Sequence, residues 1–318
     1  MNVRVVGASS KTMDEQKNKE KQKCNKEFLE HQYSPSRWSN VASSDEIIQL
    51  HVKKITEAST QTIKKVKCDV DVQYGQSAGE RMDVFFPKSS EKRGEEKQPI
   101  LVFIHGGYWQ ELGKDYYSFL GSVFGQYGIT TIVVGYELAP KVKLKTIAGE
   151  IRNAVCSIHE RFPSAPLIVS GHSAGAHLAS LLLTVNWNSL GFSRSPVQGL
   201  VLISGVYDLR PLVNTYVNDA LNMNTEEALM LSPMCSVDQM EFNSSCKIMS
   251  LVGQYESPEF HRQSKEFAEA LRNAGYKVKH DSMENTDHFS IVHNFTLPSY
   301  NLTKVIVDFI NDVSQICW

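Results

Sequence analysis

Ser173 lies in Gly171-His172-Ser173-Ala174-Gly175, between the apolar run Leu167-Ile168-Val169 and a helix-like stretch from Ala176 to Leu183. Strand, sharp turn and helix is the context that lifts a serine hydroxyl clear of a sheet to act as a nucleophile. Small residues at 171 and 175 let the strained turn pass close to neighbouring chain. A second glycine-rich element, His105-Gly106-Gly107-Tyr108-Trp109, follows Ile100-Leu101-Val102-Phe103-Ile104, a continuous apolar run with the length of a buried strand. Attack by Ser173 on a carbonyl puts negative charge on its oxygen, and fixed backbone N–H donors stabilise that charge without reorganising. Gly106 and Gly107 free the backbone to face a ligand, and the expected donors are the N–H groups of Gly107, Tyr108 and Ala174. His105 is expected to hold the loop through a side-chain hydrogen bond.

A serine at neutral pH needs a base, and the base needs an acid to fix its tautomer and stabilise the imidazolium. Of the ten histidines, His288 in Asn285-Thr286-Asp287-His288-Phe289 lies in a polar turn after a strand expected over 276–283. It suits the chain order serine, acid, histidine. His280 would project from the middle of that strand and His293 leads into the last helix, so both read as packing or surface residues, while His261 starts another helix and reads as a solvated residue or one that supports the site from behind its catalytic groups. For the acid, Glu256 sits in the loop from Gly253 to Pro258, beyond the carboxyl end of a buried strand over Lys247 to Val252. It is favoured over Asp208, which precedes a short helix and would cap its exposed N–H groups. Asp287 adjoins the base, and adjacent side chains rarely reach the geometry required.

The elements that must carry these groups alternate along the chain. Ser43-Ser44-Asp45-Glu46 offers a capping-box start for a helix running to about Lys65. Val66, Cys68, Val70, Val72 and Tyr74 alternate as a half-exposed strand, and Met82, Val84 and Phe86 as its hairpin partner. After a charged loop from Pro87 to Pro99 comes the buried run at Ile100, and strands expected near Ile129 to Val134, Leu167 to Ser170, Leu200 to Ile203, Ile248 to Val252 and Lys277 to His280 alternate with helical stretches. One of these stretches has a single apolar stripe of Ile147, Ile151, Ala154, Val155, Ile158 and Phe162. This βα alternation predicts an α/β fold: a mostly parallel central sheet, helices on both faces and antiparallel strands at the N-terminal edge. One catalytic domain is expected over 27–318 of the 318 residues, behind a disordered charged tail over 1–26.

Together His105–Gln110, Gly171–Ala179, Ser204–Leu209, Ser257–Ser264 and Asp287–Phe289 resemble animal kynurenine formamidase (arylformamidase), and Gln32–Trp38 is similar to the segment by which that family's chain enters its domain. The likeness runs from about Glu27 to the carboxyl terminus. It implies an α/β-hydrolase fold related to hormone-sensitive-lipase-like esterases, no metal and no other cofactor. It also implies hydrolysis of N-formyl-L-kynurenine to L-kynurenine and formate in tryptophan breakdown. Ser173, Glu256 and His288 match the family's triad positions. There the acid is usually aspartate, so Glu256 departs from the pattern by one methylene. Cholinesterase-like hydrolases use glutamate, and the role survives if the loop retreats to accommodate it. Tyr108 and Trp109 are candidates to flank the aromatic leaving group, the alternative being ordinary packing over the sheet. No residue is assigned to the amino-acid end of the substrate. Two further readings stand beside this one: a broader carboxylesterase of the same fold, and a non-catalytic binding protein on the same scaffold.

Composition narrows the partners. A formal net charge of -2 gives no reason to expect nucleic acid or an anionic membrane, and 42% hydrophobic residues support a large core. A small-molecule substrate is the expected partner, and a homodimer is compatible with the sequence without being read from it. Met1 to Ala8 is too short for a signal peptide's apolar region or a membrane span, so the cytoplasm is the expected location, with the nucleus also within reach. The six cysteines lack CxxC or metal-ligand spacing and read as free thiols.

Overall fold

The computed structural model of the chain describes residues 23–88, 98–240, 243 and 245–315. Eight strands form one sheet: β1 (Cys68–Gln73), β2 (Arg81–Phe85), β3 (Ile100–Ile104), β4 (Thr130–Val134), β5 (Leu167–His172), β6 (Val197–Ile203), β7 (Lys247–Tyr255) and β8 (Lys277–Asp287). Their order is β1-β2-β4-β3-β5-β6-β7-β8. The β1–β2 and β2–β4 pairs are antiparallel and all later pairs parallel, as expected for strands joined first by a short turn and then by helical crossovers. The helices are α1 (23–32), α2 (Ser44–Lys65), α3 (Phe119–Gly125), α4 (Leu144–Arg161), α5 (Ala174–Leu181), α6 (Asn218–Leu221), α7 (Thr225–Met230), α8 (Pro258–Asn273), α9 (Ser290–His293) and α10 (Asn301–Gln315).

Strand alternation divides the core into two layers. Val102, Ile104, Val169, Leu200 and Leu202 face one layer with Ile147, Ile151 and Ile158 of α4 and Phe260 and Phe267 of α8. Leu101, Phe103, Ile168, Val201 and Ile203 face the other with Ile55 of α2, Phe119 of α3 and Leu302, Ile306 and Ile310 of α10. Because both faces are covered, the inner strands are buried along nearly their whole length, β3 being apolar throughout and β4 to β6 carrying continuous apolar runs in place of polar alternation. At the start of α2 the Glu46 carboxylate accepts from the Ser43 N–H at 3.2 Å and its hydroxyl at 2.6 Å, so the chain begins a helix where its capping residues lie.

Three boundaries differ from the sequence expectation. Residues 23–26, assigned to the tail, are helical and continue α1, with Lys23–Glu27 and Lys26–Glu30 ion pairs at 3.8 and 3.7 Å and Leu29 packed on the core; the rest of the tail lies outside the described residues. β7 runs past Val252 to Tyr255 and β8 past Met283 to Asp287, so His288 directly follows a strand instead of lying within a separate turn. Gln254 and residues 284–286 fall at a register shift between Gly253–Met283 and Tyr255–Asp287, and the strands pair again beyond that irregularity. Among the described residues no helix is long and apolar enough to cross a membrane, and cysteines 24, 68, 156, 235 and 246 are free thiols.

Candidate active site

Sheet register brings the site together at the carboxyl ends of the strands. Ile104 of β3 pairs with Gly171 of β5, so the residues that follow each, His105-Gly106-Gly107 and His172-Ser173, leave the sheet side by side. Tyr255 of β7 pairs with Asp287 of β8, so the next residues, Glu256 and His288, emerge together. Between these pairs β6 ends at Ile203, whose carbonyl accepts the Ser173 N–H at 2.8 Å, and Ser204 donates its own N–H to Leu251 of β7 at 2.7 Å. Five strand ends thus share one rim.

Ser173 has φ 56° and ψ -120°, a left-handed conformation costly for a side-chain-bearing residue, and it opens α5. The turn survives because nothing projects beside it. A Cβ on Gly171 would overlap the backbone of Gly175, and one on Gly175 would overlap the Ile104 carbonyl oxygen. Across from it Gly107 has φ 103°, and Tyr108 and Trp109 also take left-handed backbone. Among the described residues the N–H groups of Gly107, Tyr108 and Ala174 donate to no protein acceptor, which leaves them for a ligand. His105 is fully buried, with Nδ1 2.8 Å from the Gly106 carbonyl and its ring stacked on Tyr136 at 4.1 Å; burial lowers its pKa to about 4, so it is a neutral prop.

His288 Nδ1–H donates to Glu256 Oε2 at 2.7 Å, with both side chains buried. The second carboxylate oxygen, Oε1, accepts from the Gly253 N–H at 3.0 Å and from the Ser204 hydroxyl. The main chain of His288 is pinned by His172, whose Nε2 lies 2.8 Å from its carbonyl oxygen, while Phe260 meets its ring edge-on at 4.9 Å. Asp208 is elsewhere: its carboxylate accepts from the Arg210 N–H at 3.1 Å and from the guanidinium at 2.9 and 2.8 Å. Burial would raise its pKa, but these Arg210 bonds hold it below the usual carboxylate range. Asp287 likewise turns the chain, accepting from Phe289 N–H at 3.0 Å and Ser290 N–H at 2.6 Å and from the Ser39 hydroxyl. Of the remaining histidines weighed from sequence, His280 meets Ser250, His261 the Gln254 carbonyl and His293 Lys54.

Ser173 and His288 line one cavity of about 290 Å³, walled by Gly107, Tyr108 and Gln110 of the glycine loop, Ser34, Pro35 and Ser36 of the N-terminal segment, Ile48, His51 and Val52 of α2, and Tyr216. Tyr108 is on that wall, its hydroxyl bonded to the Tyr33 carbonyl at 2.8 Å. Trp109 is not. It is fully buried in the core with its ring edge-on to His177 at 5.0 Å, so the expectation that it flanks a substrate is corrected in favour of packing. The two rings are neighbours, centroids 5.9 Å apart and tilted by 59°, so Trp109 backs Tyr108 from the core side while Tyr108 borders the cavity.

The N-terminal segment is a wall of the cavity, a role the sequence reading left blank. Tyr33 donates to Glu259 Oε2 at 2.9 Å and accepts from Gln263 Nε2 at 2.8 Å, and Gln32 Oε1 accepts the Glu259 N–H at 3.2 Å. These bonds strap the segment to α8. His172, His51 and Ser204 were also passed over. The first sits at the variable position of the serine motif and the last closes β6, so both occupied readable places, whereas nothing near His51 on α2 signals a cavity.

A family model described as an α/β hydrolase fold matches residues 101–292. The chain is 39% identical over 287 residues to a kynurenine formamidase of Danio rerio, covering 90% of this chain and 96% of that protein. It is 30% identical over 269 residues to a kynurenine formamidase of Drosophila melanogaster, covering 82% and 85%. Among solved structures, a Silicibacter protein described as a thioesterase superposes with a TM-score of 0.72 at 25% identity, covering 87% of this chain and 98% of that one. A thermostable carboxylesterase cloned from a metagenomic library gives 0.64 at 16% identity with the same coverage, a likeness of fold alone.

Proposed function

The chain belongs to the kynurenine formamidase family of α/β hydrolases, and on that premise we propose how its residues perform the reaction. The enzyme is an arylformamidase, hydrolysing the formamide of N-formyl-L-kynurenine to L-kynurenine and formate in tryptophan catabolism. In the first half-reaction His288 Nε2 takes the Ser173 proton as Oγ attacks the formyl carbon. The tetrahedral oxyanion is stabilised by the N–H groups of Gly107, Tyr108 and Ala174, and Glu256 stabilises the imidazolium. His288 then protonates the departing aniline nitrogen and leaves a formyl ester on Ser173. Water, deprotonated by His288, attacks that ester; collapse returns the proton to Oγ and releases formate. Proton and leaving group balance in each half.

The observation that carries this assignment is the His288–Glu256 bond at 2.7 Å beside a cavity that also holds Ser173 and unclaimed N–H donors. The wall supplies an aromatic surface in Tyr108 for the kynurenine ring, and among the described residues Glu111 is the sole Asp, Glu, Lys or Arg that lines it. We assign Glu111 to the substrate ammonium. The test is turnover of purified protein on N-formyl-L-kynurenine beside simple acyl esters, with fluorophosphonate labelling of wild type and Ser173→Ala. We expect preference for the formamide and labelling that vanishes in the variant. Labelling that persists, or larger esters cleaved as fast as the formamide, overturns the assignment or the specificity respectively.

A further inference from the structure

Ser204, the first residue beyond β6, has a backbone conformation that a serine does not choose freely. Its φ is 53°, in the left-handed region, and it is fully buried. Its N–H is tied to the Leu251 carbonyl on β7 at 2.7 Å, which leaves the hydroxyl aimed at Glu256 Oε1, to which it donates. The same oxygen accepts the Gly253 N–H at 3.0 Å, and the other oxygen is left for His288 Nδ1 at 2.7 Å.

We propose that Ser204 is a positioning residue for the hydrolysis, its hydroxyl clamping the Glu256 carboxylate so that one oxygen stays on the imidazole; this rests on the triad assignment above. Glutamate has one more rotatable bond than aspartate, and an unclamped carboxylate would spend part of its time turned from His288. With two donors on Oε1 and one on Oε2, the carboxylate has one orientation that satisfies all three. Losing the hydroxyl leaves Oε1 with the Gly253 N–H alone.

The left-handed φ supplies a test that separates support of the fold from support of the reaction. Ser204→Gly removes the hydroxyl and at the same time relieves the backbone, so stability and activity are expected to move independently. The expected result is a Tm equal to or above wild type and kcat on N-formyl-L-kynurenine lower by about tenfold to a hundredfold, with KM changed by less than about twofold. The low-field proton resonance of His288 Nδ1–H, present in wild type and absent in Glu256→Gln, should shift or broaden. Ser204→Ala, which removes the hydroxyl and keeps the backbone restriction, should show the same kcat loss. A glycine variant with wild-type kcat, or one whose kcat falls while the resonance stays in place, overturns the proposal. Failure of the triad assignment would show in the wild-type protein, as absent turnover or an unlabelled Ser173. Failure of this inference alone would show only in the variants.

Discussion

Around Gly106–Tyr108 and Gly171–Gly175 the site is drawn in main chain, whereas around Glu256 and His288 it is drawn in side chains that reach in from β6, β7, β8 and the N-terminal segment. In the first region function depends on what is missing, since a single Cβ at 171 or 175 would occupy space already filled by backbone. In the second it depends on what is added: a carboxylate, an imidazole and the donors that orient them. The contrast teaches that the first region ties chemistry to the fold itself, while the second can lose its chemistry with the fold left standing.

The sharpest way to break this comparison is Gly175→Ala. Its Cβ would press on the Ile104 carbonyl oxygen at the centre of the sheet, where neither partner can withdraw. We expect destabilisation on the order of 4 kcal/mol or more, read by chemical denaturation, with activity lost along with the fold. A stable, active Gly175→Ala protein would remove the distinction. Glu256→Gln is the opposite case. A neutral amide fills the same volume but does not stabilise an imidazolium, so kcat should fall by about 10³- to 10⁴-fold. Its thermal midpoint should stay within a few degrees of wild type. Near-normal turnover in that variant would move the acid's role to another group.

Acid acts on both regions through buried histidines. His172 packs on the His288 ring at 4.7 Å and His51 on Phe289 and His293, and burial pushes His51 to about 3, His293 to about 4 and His172 well below the ordinary value; His105 and His177 stand at about 4 for the same reason. Each takes a proton more readily in the unfolded chain than in the folded one. Its contribution to stability is therefore complete above about pH 6.5 and is lost as pH falls from there toward 4, at up to about 1.4 kcal/mol per pH unit for each group. Thermal or denaturant unfolding from pH 7.5 to 5 should show stability falling below pH 6.5. A flat profile would mean that these rings are not held neutral. Asp287 acts with the same sign at lower pH: burial would raise its pKa, but the bonds from Ser39, Ser290 and Phe289 hold it below the usual carboxylate range, so its stabilisation is lost only as pH falls below about 4.

The same contrast decides how much could be read from sequence. The main-chain region was legible because glycine is the residue that fits, and two glycine motifs after apolar strands left little else to assign. The sheet and its antiparallel edge were legible for a related reason: strands buried on both faces carry continuous apolar runs. The side-chain region was legible only at its centre. Glu256 and His288 could be placed by chain order, but their meeting depends on register between strand ends whose polar residues hide the pairing. The cavity wall was missed because Ser34, Pro35 and Ser36 meet it through contacts with chain some two hundred residues away, as with Tyr33 and Glu259. Trp109 was misread because its burial is set by packing on His177 and the core, contacts made with chain far along the sequence.

Tyr33→Phe sharpens the comparison within the side-chain region, by separating wall from chemistry. It removes the hydroxyl bonded to Glu259 and Gln263, while Glu259 keeps Arg262 at 2.8 Å and Gln263 keeps the Asp208 carbonyl at 3.2 Å. With both former partners still engaged, the cost should be about 1 kcal/mol of stability. KM should rise a few-fold and kcat hold, since the strap shapes the cavity and does not touch the reacting atoms. A fall in kcat with KM unchanged would place Tyr33 among the groups that align the acid and base.

The smallest expected effect lies where the two regions meet. Glu111 belongs to the glycine loop, its N–H bonded to the Gly107 carbonyl at 3.0 Å, yet it borders the cavity and carries a charge. It is exposed, so its attraction for a substrate ammonium is screened by water and salt and is worth well under a buried pair. Glu111→Gln should raise KM for N-formyl-L-kynurenine by about threefold at low ionic strength and leave kcat alone. For an aryl formamide with the ketone but no amino-acid end, the same change should do nothing. The difference between the two substrates should shrink as salt is added, because the interaction it reports is between solvated charges. Equal effects on both substrates would mean that the residue acts through the conformation of the loop, and that this part of the main-chain region makes no charge contact with the substrate.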